Sequence, residues 1–426
     1  MSEKQYLLVI DHITDSVFGA IRHIRHTYKE FSNLELVFLT TNPEKYQQHK
    51  DKEEMGAYIH CDFLDDQEIA RNIDPFLSSL VGVICRGDKQ IQYLRKVIPL
   101  LPMSIRVSSM KSLVASTNKK LMREAFRNHY PEITPRFLQV QNSSVEMIDK
   151  IESALDYPII IKPAHLASSM LIQSCHNSDE LKQSLQRVFK SAGAIYKQEG
   201  RRGAPEIIVE EYLEGEFYSI DAYVDESQQI FFCPPVGYIP AKQLGIDDFF
   251  LYKRFIPTQL STQDIENANE MTRKAMTALE LKHSSAHVEL VLTKNGWKII
   301  ELGPRIGRFR HNMYYFAYGI HHSLNDMKIH LGLEPDIPNQ LHKFCTAYSI
   351  YPDHEGMLEQ IVGWDKLMKM PEVLWNGMNS QPGDQCRFAK NGGSALAEFI
   401  VASSNQEQYD QLIQWIEKNV YAVIKT

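Results

Sequence analysis

Among the 426 residues there is no GxGxxG fingerprint, no CxxC pair and no HExxH motif. Without the first, nothing supports dinucleotide binding on a glycine turn; without the second, zinc-ribbon and dithiol redox spacings are missing. The third absence, despite sixteen histidines, excludes that zinc-peptidase arrangement. The six cysteines (Cys61, Cys85, Cys175, Cys233, Cys345, Cys386) lie far apart, and reduced, buried thiols are expected. No apolar run approaches bilayer length, and there is neither a low-complexity tract nor an internal repeat. The opening "MSEKQYLLVIDH" is charged and runs straight into a strand, so no signal peptide and a cytoplasmic location are expected. Basic charge is not in excess either. With 46 Lys and Arg against 53 Asp and Glu the net charge is −7, which argues against coating nucleic acid but leaves room for a local nucleotide pocket.

What is present is an alternation of strand and helix signals. "YLLVI", a helical stretch to about Tyr28 and "LELVFLT" read as strand–helix–strand, and "LVGVICRG" adds a strand before the periodic "YLRKVIPLL". Residues 1–115 are therefore expected as a doubly wound, Rossmann-like α/β domain. From Ser116 the pattern changes. "STNKKLMREAFRNHYPEITPRF" is a capped helix stopped by prolines, and "YPIIIKPA" is a buried strand ending in Lys162. Asn177 and Glu180 have capping-box spacing. Residues 116–208 make a small α+β unit of lid size. A third unit over 209–335 holds a long helix, about Thr262 to Leu281, and 336–426 form a C-terminal α+β region. Adjacent His321 and His322 read as helix residues.

The stretch "HVELVLTKNGWKIIELGPR", His287 to Arg305, carries Glu289 and Glu301 inside two apolar, β-rich runs. Asn295-Gly296 between them is a hairpin signal. A two-residue Asn-Gly loop pairs Lys294 with Trp297 and sends the acids to opposite faces, because side chains alternate along a strand. A three-residue loop, Lys294-Asn295-Gly296, pairs Thr293 with Trp297 and sets Glu289 opposite Glu301, Cβ atoms about 5 Å apart. The three-residue loop is expected here, with His287, Gly303 and Arg305 on the same face. Two facing carboxylates in a half-buried sheet need neutralising, and Mg²⁺ arriving with substrate phosphates is the natural partner. Arg305 then serves phosphoryl oxygens. The plainer alternative is an edge hairpin with both acids in solvent.

Lys119 and Lys162 are the basic partners to add, although each alone reads as a snorkelling surface lysine. "HLASSM" offers the backbone N–H groups of Ser168 and Ser169 to phosphate oxygens, without a glycine. "VEEYLEGE" ends a strand with Glu210, Glu211, Glu214 and Glu216. Backbone there can meet an adenine edge and a carboxylate can hold ribose; a solvated charged turn is the simpler reading.

Taken in order, Lys119 in "NKKLMREAF", Lys162 in "YPIIIKP", "VEEYLEGE" and "HVELVLTKNGWKIIELGPRIG" resemble the ATP-grasp superfamily over most of the chain. The His-x-Glu pair, "IELGPRIG" and the C-terminal "YPDHEGML…PGD" look most like the branch containing bacterial L-amino-acid ligases, which make dipeptides. The resemblance implies an α/β ATP-grasp fold: N-terminal α/β domain, α+β lid, and a catalytic α+β domain whose hairpin bears the acids. It implies that Lys119, Lys162, Ser168 and Ser169 contact ATP phosphates. Glu210, Glu211, Tyr212 and Leu213 would lie at adenine, and Glu216 at ribose. Two Mg²⁺ would sit on Glu289 and Glu301. Arg305 would be catalytic, steadying the transferring phosphate and the tetrahedral intermediate. The amino-acid substrates would meet His287, Arg308, Phe309 and Arg254 of "LYKRFIPTQL", with Lys253 as rival to Arg254. The chain departs from the family pattern at Gly303, where Asn is commoner, in the glycine-free lid loop, and at Asn118, where Asp often stands. Lys120 competes with Lys119.

The implied activity is an ATP-dependent carboxylate–amine ligase working through an acyl phosphate, with ADP and phosphate released. Its partners would be small molecules, neither nucleic acid nor membrane, and a homodimer is a family expectation. Two alternatives stand beside it. "MKM" at Met368–Met370 prompts a biotin-dependent carboxylase, although it also reads as an amphipathic helix end. Gly303 and the glycine-poor loop prompt a non-catalytic nucleotide sensor.

Overall fold

The computed structural model describes residues 4–12, 14–44, 51–166, 169–198 and 204–425. The first sheet has strands β1 (Gln5–Ile10), β2 (Leu34–Thr40), β3 (Met55–His60) and β4 (Leu80–Cys85), in the order β3-β2-β1-β4. β1 runs parallel to both neighbours. Its near-continuous apolar runs follow from burial on both faces. Leu7 and Val9 pack with Val17 and Ile21 on one side, while Leu8 and Ile10 pack with Ile69 and Ile91 on the other. β3 gave no sequence signal because it is a half-exposed edge strand without apolar alternation.

The second sheet has the order β5-β8-β6-β7, from β5 (Phe137–Val140), β6 (Ile159–Pro163), β7 (Gln173–Cys175) and β8 (Ile207–Glu211). Its odd-numbered apolar residues, Ile159, Ile161, Ile207 and Val209, pack beneath the helices Val145–Ala154 and Ser178–Gln198. Alternation therefore turns Lys162 and Glu210 to the opposite face. The cap expected at Asn177 forms: its side chain accepts from Glu180 N at 2.9 Å, and Glu180 accepts from His176 N at 2.9 Å.

A nine-stranded sheet is built from β9 (Glu216–Val224), β10 (Ile230–Phe232), β11 (Val236–Pro240), β12 (Leu251–Ile256), β13 (Ser284–Thr293), β14 (Gly296–Gly303), β15 (Phe344–Ile350), β17 (Val373–Met378) and β19 (Ala397–Ser403). Its order is β14-β13-β9-β11-β12-β15-β19-β17, with β10 beside β9. The C-terminal strands β15, β19 and β17 thus continue the sheet that bears the hairpin. β16 (Gly356–Val362), β18 (Gln385–Cys386) and β20 (Tyr421–Lys425) form a separate small sheet. Helix Thr262–Ala278 covers the hairpin through Ala268, Ala275 and Met276. Helix His322–Leu331 is buried along its whole length: Met327 and Leu331 join the N-terminal core, and Ile329 joins the core of the large sheet. That one helix bolts the two sheets together. Met368 and Met370 pack against the core around Phe399 and Ile416, which is the packing reading of "MKM".

Candidate active site

β13 and β14 pair His287 with Gly303 and Glu289 with Glu301. The facing acids are as expected, but the three-residue loop is not their cause. Thr293 pairs with Gly296, which leaves Lys294 and Asn295 as the turn, and Leu290 pairs with Ile299. Ile300 is therefore an extra residue, and this β-bulge restores both acids to one face. Gly296 has φ +98, a conformation that disfavours any side chain.

The acids open on a cavity of about 350 Å³ between the second sheet and the large one. Asn118 caps helix Lys119–His129 by accepting from Lys120 N at 2.9 Å. The cap aims Lys119 into the cavity, where its Nζ donates to Glu301 at 2.9 Å and to Leu166 O at 2.8 Å. Lys120 turns away to Glu206, at 2.9 Å. Lys162 Nζ donates to Glu210 at 2.8 Å, and Arg123 Nε donates to the same carboxylate at 2.6 Å. Burial alone would push the Glu210 carboxyl up, but the charges of Arg123 and Lys162 outweigh it and hold the group down to about 2. The Glu210 carboxylate is thus a buried counter-ion.

Glu211, Tyr212 and Leu213 follow along the cavity wall. The Glu211 carboxylate is taken up by Arg136, whose Nε lies 3.0 Å away. Tyr212 N donates to Pro158 O at 3.1 Å. Glu216 is exposed, accepts from the Tyr218 hydroxyl and does not line the cavity. Ser169 lines it and donates from Oγ to Phe249 O at 3.1 Å. Ser168 lies outside the described residues.

His287 stands between two acids: Nδ1 is 3.1 Å from Asp221 and Nε2 is 3.5 Å from Glu289. Burial pulls the imidazole toward neutrality, but the charge of Asp221 and the hydrogen bonds to both acids prevail and raise its pKa. Burial likewise pushes Glu289 up, and His287 with Arg305 pulls it below the usual carboxylate value. Each acid of the hairpin therefore faces a basic side chain, Lys119 on Glu301 and His287 on Glu289. Two hard oxygen donors on one face fit Mg²⁺. Among the described residues no group of three or more His, Cys, Asp or Glu could hold a metal, and Gly303 adds no side chain. If an ion sits there, its remaining coordination would come from phosphate oxygens and water.

At the other end Arg254 is buried on β12 and donates to Leu251 O at 3.2 Å and Ser349 Oγ at 3.1 Å. No carboxylate among the described residues pairs with it. Burial, with Arg310 and Arg308 nearby, lowers its guanidinium to about 10. Lys253, one residue earlier and so on the other face, pairs with Glu417 at 2.6 Å away from the cavity. Arg308 lines the cavity and pairs with Glu398 at 2.5 Å. Phe309 does not reach it; its ring lies under the Arg254 guanidinium at 5.1 Å and against Trp375.

Three buried groups escaped the sequence reading: Arg123, Asp221 and Arg310. Arg123 lies one helical turn after Lys119, so the two share a face and the cue was present. Asp221 sits in a strand buried on both faces, where no alternation marks it; an acid inside "YSIDAYV" was the only hint. Arg310 opens helix Arg310–Tyr318 and donates to Ser219 Oγ and the Tyr238 hydroxyl, each at 2.9 Å.

A small antiparallel sheet with an inward lysine, facing a larger sheet with paired acids, is the arrangement of the ATP-grasp fold. Residues 155–312 match the family model of the ATP-grasp domain. The whole chain superposes on an L-amino acid ligase from Bacillus licheniformis, TM-score 0.79, 15% identity, all of both chains covered. The biotin carboxylase domain of the Hydrogenobacter thermophilus 2-oxoglutarate carboxylase, solved with MgADP and bicarbonate, gives TM-score 0.67 at 14% identity, covering 100% of this chain and 92% of that one. A D-alanine–D-alanine ligase of Halothermothrix orenii is 27% identical over 241 residues, 53% of this chain and 66% of that protein. An uncharacterised Sinorhizobium fredii protein is 22% identical over 268 residues, 62% of this chain and 52% of its own. The chain spans between half and two thirds of the length of these two relatives. Residues 155–312 thus match an ATP-grasp domain, and the chain shares the fold of these solved structures.

Proposed function

We propose that the chain is an ATP-dependent ligase that joins a carboxylate to an amine, its substrates two amino acids or one amino acid and another amine. The observation that carries this is the convergence of Lys119, Lys162, Glu289, Glu301 and Arg305 on one cavity. The substrate carboxylate takes the γ-phosphoryl group of ATP to form an acyl phosphate, and ADP leaves; the amine then attacks the acyl carbon, phosphate leaves, and the amine's proton passes to that phosphate or to water. Lys119 and Lys162 hold the phosphates, with the backbone N–H groups of Ser168 and Ser169 as further candidate donors. Adenine lies along Glu211, Tyr212 and Leu213, and Glu216 is the ribose candidate. Glu289 and Glu301 would hold Mg²⁺, two ions in the family pattern, which would supply charge neutralisation at the phosphoryl oxygens. Arg305 meets the transferring phosphate and then the tetrahedral intermediate. Arg254, Arg308 and His287 face the substrates, and Phe309 supports Arg254 from behind. The lid, residues 116–208, keeps water from the acyl phosphate, over a catalytic unit at 209–335 flanked by units at 1–115 and 336–426.

The ligase names of the Bacillus licheniformis fold neighbour and of the Halothermothrix orenii relative support this reading. Among the described residues no helix is long and apolar enough to cross a membrane; a cytoplasmic homodimer belongs to the same proposal. The test is phosphate release from ATP with amino acids singly and in pairs, with mass spectrometry of the products. Release that needs a pair, with an amide product, is expected. ATP binding without release under any pair would leave a nucleotide sensor.

A further inference from the structure

One buried carboxylate, Asp221 on β9, ties together the two halves of the catalytic face without lining the cavity itself. Its Oδ1 accepts from Gly307 N at 2.8 Å and lies 3.2 Å from His322 Nε2. Its Oδ2 lies 3.1 Å from His287 Nδ1 and 3.3 Å from Arg310 Nε. Gly307 comes two residues after Arg305 on the same loop. A side chain could not replace its hydrogen: a Cβ there would stand 2.5 Å from His287 Nδ1 and 2.7 Å from Arg310 Cγ. The loop of Arg305 is therefore seated directly on the His287–Asp221 pair. His287 in turn reaches Glu289 through its other nitrogen, at 3.5 Å.

We propose that Asp221 is a positioning residue: by fixing Gly307 it places Arg305, and by fixing His287 it orients Glu289 for the metal-bound nucleotide. The inference rests on the ligase reading for the role of Arg305, but its link to Glu289 concerns binding alone. Partners one shell out from a metal ligand commonly change metal affinity by about 10- to 100-fold when removed.

The experiment measures ATP binding calorimetrically at graded Mg²⁺ concentrations. Asp221→Asn is expected to need roughly tenfold more Mg²⁺ for half-maximal binding, with Mg²⁺-free ATP affinity within about twofold of wild type. Because the effect passes through His287, adding His287→Asn should raise the requirement no further than the worse single variant. An unchanged Mg²⁺ requirement, or strictly additive effects, overturns the proposal. Should Asp221→Asn fail to fold, Gly307→Ala carries the test from the other side of the same contact. It is expected to cut pair-dependent phosphate release at least tenfold at saturating ATP, and wild-type release would count against the proposal. A Mg²⁺ shift in Asp221→Asn beside a wild type that releases no phosphate sinks the ligase reading and leaves the positioning role standing.

Discussion

Lys162 and Glu210 lie 2.8 Å apart on the neighbouring strands β6 and β8, and Arg123 closes on the same carboxylate from helix Lys119–His129. The acid is almost fully buried, so it holds the lysine at the cavity wall. Two cations against one anion leave net positive charge where phosphate is proposed to bind.

Glu210 should shape acid stability. Its folded value of about 2 lies below the ordinary 4.5, so the ionised group stabilises the fold above about pH 4.5. The contribution is lost as pH falls from about 4.5 to 2, and the difference corresponds to about 3 kcal/mol. Guanidinium unfolding of Glu210→Gln should show a flatter acid limb than wild type. It should also show a loss of roughly 3–5 kcal/mol at pH 7, where two buried cations lose their partner. Parallel limbs would refute the counter-ion role.

Glu301→Gln should reduce phosphate release by about 10²-fold or more while leaving the unfolding midpoint within a few degrees. The substitution keeps the shape of the hairpin and removes the charge opposite Glu289. Wild-type turnover in this variant would remove the metal assignment.

Arg305→Ala should lower kcat by roughly 10²–10³-fold and change ATP affinity by less than about threefold. Equal losses in rate and in binding would mean that Arg305 acts on the ground state.

Neighbouring charges on β12 should differ sharply. Arg254→Met is expected to raise the KM of an amino-acid substrate at least about tenfold, since a buried guanidinium with no carboxylate partner among the described residues is offered to the ligand. Lys253→Ala, which loses contacts to Glu417 and the Phe255 ring away from the cavity, should stay within about twofold in every kinetic constant. A reversed ranking would relocate the substrate pocket.

Gly296→Ala should cost about 1 kcal/mol in denaturant unfolding, because its φ of +98 disfavours a side chain although space is open around it. No loss would mean that the turn relaxes freely.

Local signals carried far in this chain. The capped helix after Ser116, the Asn177 cap, the buried run "YPIIIKP" and the apolar runs of the parallel sheet depend on a few neighbouring residues, and each formed where it was expected. Glu289 and Glu301 were legible as partners because twelve residues is an even separation. The mechanism was not. A bulge at Ile300 and a loop of one more residue have the same parity, and only the pairing of Leu290 with Ile299 tells them apart.

The sequence determined by itself the period of each element, its caps and which charges could share a strand face, since these follow from contacts within a turn or a hairpin. Tertiary structure alone decided which polar and charged groups became neighbours across long separations: Arg123 with Glu210, Lys119 with Glu301, and Asp221 with His287, Gly307 and His322. Burial is the physical reason. A charged group in the interior takes its meaning from whichever counter-charge the fold brings to it, and the order of residues along the chain does not encode that distance.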